Sequence, residues 1–156
     1  MDAVKIEPIH RRHFEALEKQ GVSEVVPAYR YLDNWLENSR AFAGVADEGV
    51  LGVGGLLEQN PGNFRLWVFR DPRLTRKYRL VVNRMIVAYL DTCGARRIEA
   101  VLQLGNVAGH RWVTKILGFT MAHIMRAFDE DGDAVLYERI SDDEPRTVDQ
   151  LPRVLN

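Results

Sequence analysis

Between Asp71 and Phe119 the chain carries a helix signal, a strand signal and a second helix signal in quick succession, an alternation that implies a sheet with helices packed on its faces. "DPRLTRKYRLVVNRMIVAYLDTCG" (71–94) repeats Leu74, Tyr78, Val81, Val82, Met85, Ile86 and Tyr89 at spacings of three and four, which is one apolar stripe along a long helix. Asp71 can cap it, Pro72 suits the first helical position, and Gly94 can close the far end. "RRIEAVLQL" (96–104) alternates as a buried strand does, and "GNVAGHRWVTKILGF" (105–119) reads as a short helix that opens at Asn106 and stops at Gly118.

The flanking segments complete the pattern. "VKIEPI" (4–9) alternates and predicts an opening strand; "HRRHFEALEKQG" predicts a short helix with Phe14 and Leu17 on one side and Gly21 as its stop. "SEVVPAYRYLDNWLENS" (23–39) predicts a second helix, with Ser23 as the N-cap. "RAFAGVADEGVLGVGGLLEQ" sets two apolar runs around Asp47-Glu48-Gly49, a hairpin; "NPGN" (60–63) is a turn and "FRLWVF" (64–69) a strand. "MAHIMRAF" and "AVLYERI" flank "DEDGD" as a last hairpin. The order β-α-α-β-β-β-α-β-α-β-β implies an α/β fold: one mixed sheet of six or seven strands with helices on both faces. A single domain is expected over residues 1–140, followed by a polar tail over 141–156. Open sheets of this kind bind ligands where strand order switches or neighbouring strands splay apart.

Composition narrows the function. A chain of 156 residues can bury one core, and a formal net charge of −1 argues against a general polyanion binder, so nucleic acid is not an expected partner. Cys93 is the single cysteine, which rules out an intrachain disulfide and a cysteine-based metal cage. The N-terminus has no apolar core of a signal peptide, and no apolar run approaches the roughly 20 residues of a membrane span; the expected location is the cytoplasm, with no membrane partner. His10 and His13 have i, i+3 geometry but no carboxylate cluster with them, so no metal is expected. Gly52, Gly54 and Gly55 fall inside a strand pattern, where a bulge or a close backbone approach fits better than a nucleotide loop. Trp35, Trp67 and Trp112 sit on apolar stripes and read as core packing.

In its element order, and in "GNVAGHRWVTKILGF" after an alternating strand, the chain over roughly residues 4–140 resembles the Gcn5-related N-acetyltransferases. Members of that family transfer an acetyl group from acetyl-coenzyme A to an amine. The likeness implies that Asn106 orders the late loop while capping its helix, that Gly118 supplies a left-handed turn, and that Phe119 pins that turn in the core. Two family features are missing. The early Gln/Arg-x-x-Gly-x-Gly/Ala signature, whose glycines let coenzyme phosphates approach backbone N–H groups, is replaced by the glycine-free "DPRLTRKYRLVV". The tyrosine expected four residues before the Gly-Phe glycine is Thr114, a poor acid; Tyr78, Tyr89 and Tyr137 are the other candidates for that role. "FRLWVFRDPRLTRKYR" and "HRWVTKILGF" together resemble a divergent branch of the fold encoded by tailed phages, some of whose members are virion proteins.

Arg70, Arg73, Arg76, Lys77 and Arg79 crowd the start of the long helix, where basic side chains oppose the helix dipole by about 0.3–1 kcal/mol each. Either an anion sits nearby or this is a solvated cluster balanced by Asp71 and the acidic tail. Under the resemblance, acetyl-coenzyme A is the cosubstrate, held by Val68 and Phe69 of the 64–69 strand with Arg73, Arg76, Lys77, Asn106 and Arg111. Glu58 is the implied base and Thr114 occupies the general-acid position. The acceptor is an amine on a small molecule or a protein. A homodimer through an edge strand and a phage virion assembly are both left open as partners, and the alternative function is the same fold kept for binding or structure without chemistry.

Overall fold

The computed structural model describes residues 3–141. The polar tail expected over 141–156 lies, beyond Ser141, outside the described residues. The elements are β1 (Lys5–Pro8), α1 (Arg11–Lys19), α2 (Val25–Ala28), α3 (Leu32–Asn38), β2 (Ser39–Ala46), β3 (Gly49–Asn60), β4 (Asn63–Arg70), α4 (Pro72–Thr92), β5 (Arg97–Gln103), α5 (Val107–Lys115), β6 (Thr120–Asp129) and β7 (Gly132–Ile140). Seven strands form one mixed sheet in the order β1-β2-β3-β4-β5-β7-β6, antiparallel throughout except for the parallel pair β4–β5.

Strand alternation sorts side chains onto two faces, and each face is covered by its own helices. Phe14 and Leu17 of α1, Val25 of α2 and Leu32 of α3 pack on Ala41, Ala43, Val53 and Trp67. On the opposite face Leu90 of α4 and Val113 of α5 join Leu56, Phe64, Ile98, Ala100, Val135 and Tyr137. A mixed sheet with helices on both faces is therefore the architecture. The glycines of β3 are there because backbones crowd them: an added Cβ would lie 2.8 Å from the Phe69 carbonyl oxygen at Gly52, and 2.6 Å from Ala41 Cβ at Gly55. No helix among the described residues is long and apolar enough to cross a membrane.

Two expectations about order need correcting. Residues 23–39 form two short helices rather than one. Tyr29, Tyr31 and Leu32 donate to carbonyls three residues back, so the backbone tightens before α3 restarts. The run of β-branched and aromatic residues there gives little intrinsic helix stability to resist the break. A final strand at the sheet edge, the contact expected for a homodimer, is not what forms: the edges are β1 and β6, because β7 inserts between β5 and β6. β6 carries two register irregularities and a left-handed Ala127 (φ 49°), which spoil it as a flat template for another strand.

The end of α5 follows from three residues. Leu117 N–H returns to Trp112 O, Phe119 N–H to Val113 O, and Gly118 takes φ +76° so that Phe119, 2 % exposed, enters the core. Only a glycine holds that φ without steric cost. Gly118→Ala is expected to destabilise by about 1–2 kcal/mol, readable as a lower midpoint in chemical denaturation with an unchanged slope.

Candidate active site

β4 and β5 are paired only at Asn63–Arg97, Phe64–Ile98 and Arg65–Glu99; beyond these the two strands diverge. The divergence opens a cleft of about 860 Å³ walled by the second half of β4 (Leu66 to Arg70), by Ala100 to Gln103 of β5, and by Asn106, Gly109 and Trp112. The carbonyls of Trp67 and Phe69 point to β3, since they are what a Cβ on Gly54 or Gly52 would strike, and Asp71 N–H bonds to Leu51 O on the same side. Alternation along a strand then turns the N–H groups of Leu66, Val68 and Arg70 toward β5; Leu66 adjoins the last pair, Arg65–Glu99, while Val68 and Arg70 lie beyond it, where β5 has moved away. β4 thus lines the cleft with the Val68 and Arg70 N–H groups, which lie beyond the last β5 pair.

On the α4/α5 face, Trp112 Nε1 donates to Asn83 Oδ1 at 3.0 Å, fixing how the two helices meet. Arg76, Arg79 and Asn83 lie at i, i+3 and i+7, so both arginines share the side of α4 that meets α5. Arg70, at the end of β4, holds its guanidinium 5.8 Å from the centre of the Trp112 ring. None of these three arginines is ion-paired with a described residue. Asn106 caps α5, its Oδ1 accepting Gly109 N–H at 3.0 Å, and lines the cleft from the β5 side.

The start of α4 is closed by its own side chain. Asp71, 1 % exposed, accepts Arg73 N–H at 3.0 Å and Gln20 Nε2 at 3.1 Å, and pairs with the Arg73 guanidinium at 3.2 Å. Burial pushes the Asp71 carboxyl up, but the hydrogen bonds from Arg73 and Gln20 outweigh it and hold the group below its ordinary value. A carboxylate of the chain itself therefore takes a helix N–H that would otherwise be open to an anion.

The α1–α3 face of the cleft is aromatic. Trp35 stacks on Trp67 at 4.9 Å between ring centres and on Tyr31 at 6.1 Å, with Phe69 alongside. The closed end of the wedge is polar: Arg65 and Arg97 both bond Glu99, at 3.2 and 3.0 Å, and Arg97 also pairs with Glu138. Burial pushes Glu99 up; the two arginines more than offset it, so Glu99 stays ionised and the strands stay zipped at this end.

No family model and no curated protein matches the sequence. Solved structures do match in shape. An acetyltransferase from Bacillus subtilis in complex with CoA is 15% identical, covering 90% of this chain and 99% of its own, with a TM-score of 0.68. The alanine N-acetyltransferase of ribosomal protein S18 from Escherichia coli is 15% identical, covering 94% and 99%, with a TM-score of 0.69. An IAA acetyltransferase from Bacillus cereus is 18% identical, covering 88% and 99%, with a TM-score of 0.67. The chain has the Gcn5-related acetyltransferase fold.

Within that fold the residues expected from sequence fall into two groups. Val68, Phe69 and Asn106 line the cleft, and Arg76 stands on the α5 side of α4. Glu58, Arg73, Lys77, Arg111 and Thr114 do not line it. Glu58 is exposed opposite Phe64, at the zipped end of the wedge, because the end of antiparallel β3 lies beside the start of β4. Thr114 is exposed and its hydroxyl bonds back to His110 O at 2.8 Å. Arg111 is exposed on the outer side of α5. Arg73 is engaged with Asp71 and the Gln20 carbonyl, and Lys77 with Glu48 at 3.0 Å beside the β2–β3 hairpin.

The other tyrosines are also occupied. Tyr78 bonds both oxygens of Glu48, Tyr89 packs edge-on against Phe42, and Tyr137 bonds His110 Nδ1 at 2.7 Å. His13, 2 % exposed, accepts His10 N–H and bonds Glu7, so the His10/His13 pair closes a helix end. Among the described residues no group of three or more histidine, cysteine or acidic side chains is arranged to hold a metal ion. Sequence reasoning missed Arg70 and Arg79 as a set with Arg76, and missed the Tyr31–Trp35–Trp67 wall. Helical phase would have found the first: Arg76, Arg79 and Asn83 form one stripe.

Proposed function

We propose that the protein is an N-acyltransferase that moves an acyl group from a coenzyme A thioester to an amine by direct transfer. The observation that carries this reading is the wedge between β4 and β5, with the N–H groups of Val68 and Arg70, beyond the last β4–β5 pair, along one wall. Residues of the chain fit the donor in two ways. The β4 amides can donate to a thioester carbonyl and stabilise the oxyanion that develops on it. Arg70, Arg76 and Arg79 present charge-assisted donors for phosphates beside the start of α4, where Asp71 occupies the Arg73 amide. When bound, the coenzyme supplies an activated carbonyl carbon and a thiolate leaving group.

The amine approaches from the aromatic face, between Tyr31 and Phe128, both exposed at the cleft mouth. The C–N bond forms, the C–S bond breaks, and the proton lost by nitrogen ends on the leaving sulfur by way of water in the open cleft. With Glu58 and Thr114 both outside the cleft, the chain contributes binding, orientation and electrostatic stabilisation rather than a dedicated acid and base. The acceptor is an amine of a small molecule or of a protein.

The Asp71 cap also favours a second reading, in which the fold is retained without chemistry, as in a phage structural or binding protein. Two measurements separate them. Titration calorimetry with acetyl-coenzyme A should give saturable one-to-one binding, and a thiol-release assay with a panel of primary amines should give amine-dependent turnover. Binding without release for any amine supports the second reading; no binding ends the first.

A further inference from the structure

We propose that the space beneath α4 houses the acyl chain of the donor, so that the preferred thioester carries a chain longer than acetyl. This rests on the reading above that the cleft takes a coenzyme A thioester. A cavity of about 450 Å³ lies between α4 and the sheet, walled by Phe42, Leu66, Val82, Met85, Ile86 and Tyr89. It shares Leu66, Val68, Arg70 and Trp112 with the cleft, so the two spaces adjoin where the β4 amides would hold the thioester carbonyl. Its charged groups, Arg70, Arg76 and Arg79, gather on the side that meets α5, and its other side ends on Ile6 and Phe42, which are partly exposed. Cationic at one end and apolar at the other, this lining complements a phosphorylated head group bearing an alkyl tail.

The floor of the cavity is bare backbone. Gly44 and Gly52 are cross-strand partners, and Gly54 faces Phe42. At Gly52 the sheet itself demands a glycine, because a Cβ would meet the Phe69 carbonyl oxygen at 2.8 Å. At Gly44 nothing does: a Cβ would make only ordinary contacts, 3.9 Å to Val4 Cγ1 and 4.0 Å to Leu51 Cβ, with no left-handed φ. A larger residue there would fill apolar space at the base of α4, and its absence keeps that space open. Burial of an alkyl chain against this apolar lining is favourable because it removes apolar surface from water. The transfer step is unchanged by chain length: the same C–N bond forms and the same C–S bond breaks, with the proton passing from nitrogen to sulfur.

The test is calorimetry with coenzyme A and its acetyl, hexanoyl and decanoyl thioesters, on the wild type, Gly44→Leu and Met85→Trp. Affinity of the wild type should rise by about threefold to fourfold per buried methylene until the cavity is full. Either substitution should remove most of that rise while leaving coenzyme A itself bound as before, which also shows that the variant is folded. Equal affinity for coenzyme A and decanoyl-coenzyme A in the wild type overturns the proposal and leaves the acyltransferase reading standing. Failure of coenzyme A to bind at all overturns both. Decanoate alone binding as tightly as decanoyl-coenzyme A would show a fatty-acid site unconnected with the donor and would likewise overturn it.

Discussion

Asp71→Ala should lower the stability of the protein by about 2–5 kcal/mol, a fall in Tm of roughly 4–20 °C for a chain of this size. Asp71 is 1 % exposed and serves three partners at once: the Arg73 amide, the Arg73 guanidinium and Gln20 Nε2. Loss of the cap accounts for about 1–2 kcal/mol. A further loss of about 1–3 kcal/mol comes from stranding Gln20 without its acceptor. The pH dependence has a definite sign. The folded carboxyl lies below its unfolded value, so its contribution is complete above about pH 4 and is lost as the pH falls through the folded value. The gap between wild type and variant, measured by denaturation at several pH values, should therefore be full at neutrality and narrow in acid. A gap that widens in acid would contradict the assignment of Asp71 as an ionised cap.

The second large effect is on binding. Arg76→Ala and Arg79→Ala should each weaken coenzyme A binding by about tenfold to a hundredfold, the worth of about 1.5–3 kcal/mol for a hydrogen bond to a charged group. The double variant should lose more, and its remaining affinity should depend less on salt than that of the wild type. Arg84→Ala, exposed on the outer side of the same helix, is the control and should bind as the wild type does. Calorimetry at two ionic strengths reads all of these. Loss of affinity in Arg84→Ala equal to that in Arg76→Ala would show only a general charge effect.

Much of the scaffold is legible in the letters. α4 begins at Pro72 behind an Asp71 cap and Gly94 turns left-handed after it, and α5 begins at Asn106 and ends on Gly118 and Phe119. These features are local: a cap, a missing N–H and a positive φ act within a few residues, so sequence alone can carry them. What depends on distant partners is less legible. Glu58 stands at a strand end, but which end of the wedge it meets is decided by the antiparallel direction of β3. A hairpin can dock on β5 by either strand, and the choice of β7 sets which strand becomes the edge.

The arginine cluster shows the same limit. Five basic residues adjoin one another in sequence, yet Arg73 turns to Asp71, Lys77 to Glu48, and only Arg76 and Arg79 share the α5 side with Arg70. Helix phase separates them, and phase is fixed by packing of Tyr78, Val82, Ile86 and Leu90 against the sheet. The missing glycine signature likewise has a structural counterpart in the Asp71 carboxylate on the Arg73 amide; the cap is legible in sequence, but its added bond to Gln20, 51 residues away, is not.

Amide-resolved NMR of the protein titrated with acetyl-coenzyme A tests the role of the splayed strands most directly. Hydrogen bonding of the thioester carbonyl to β4 predicts large shifts of the Val68 amide and its neighbours Leu66 and Arg70, saturating with the Arg76 and Arg79 side-chain signals at one stoichiometric equivalent. Saturation that leaves the Leu66, Val68 and Arg70 amides unmoved, with the shifts gathered elsewhere on the sheet, would contradict it.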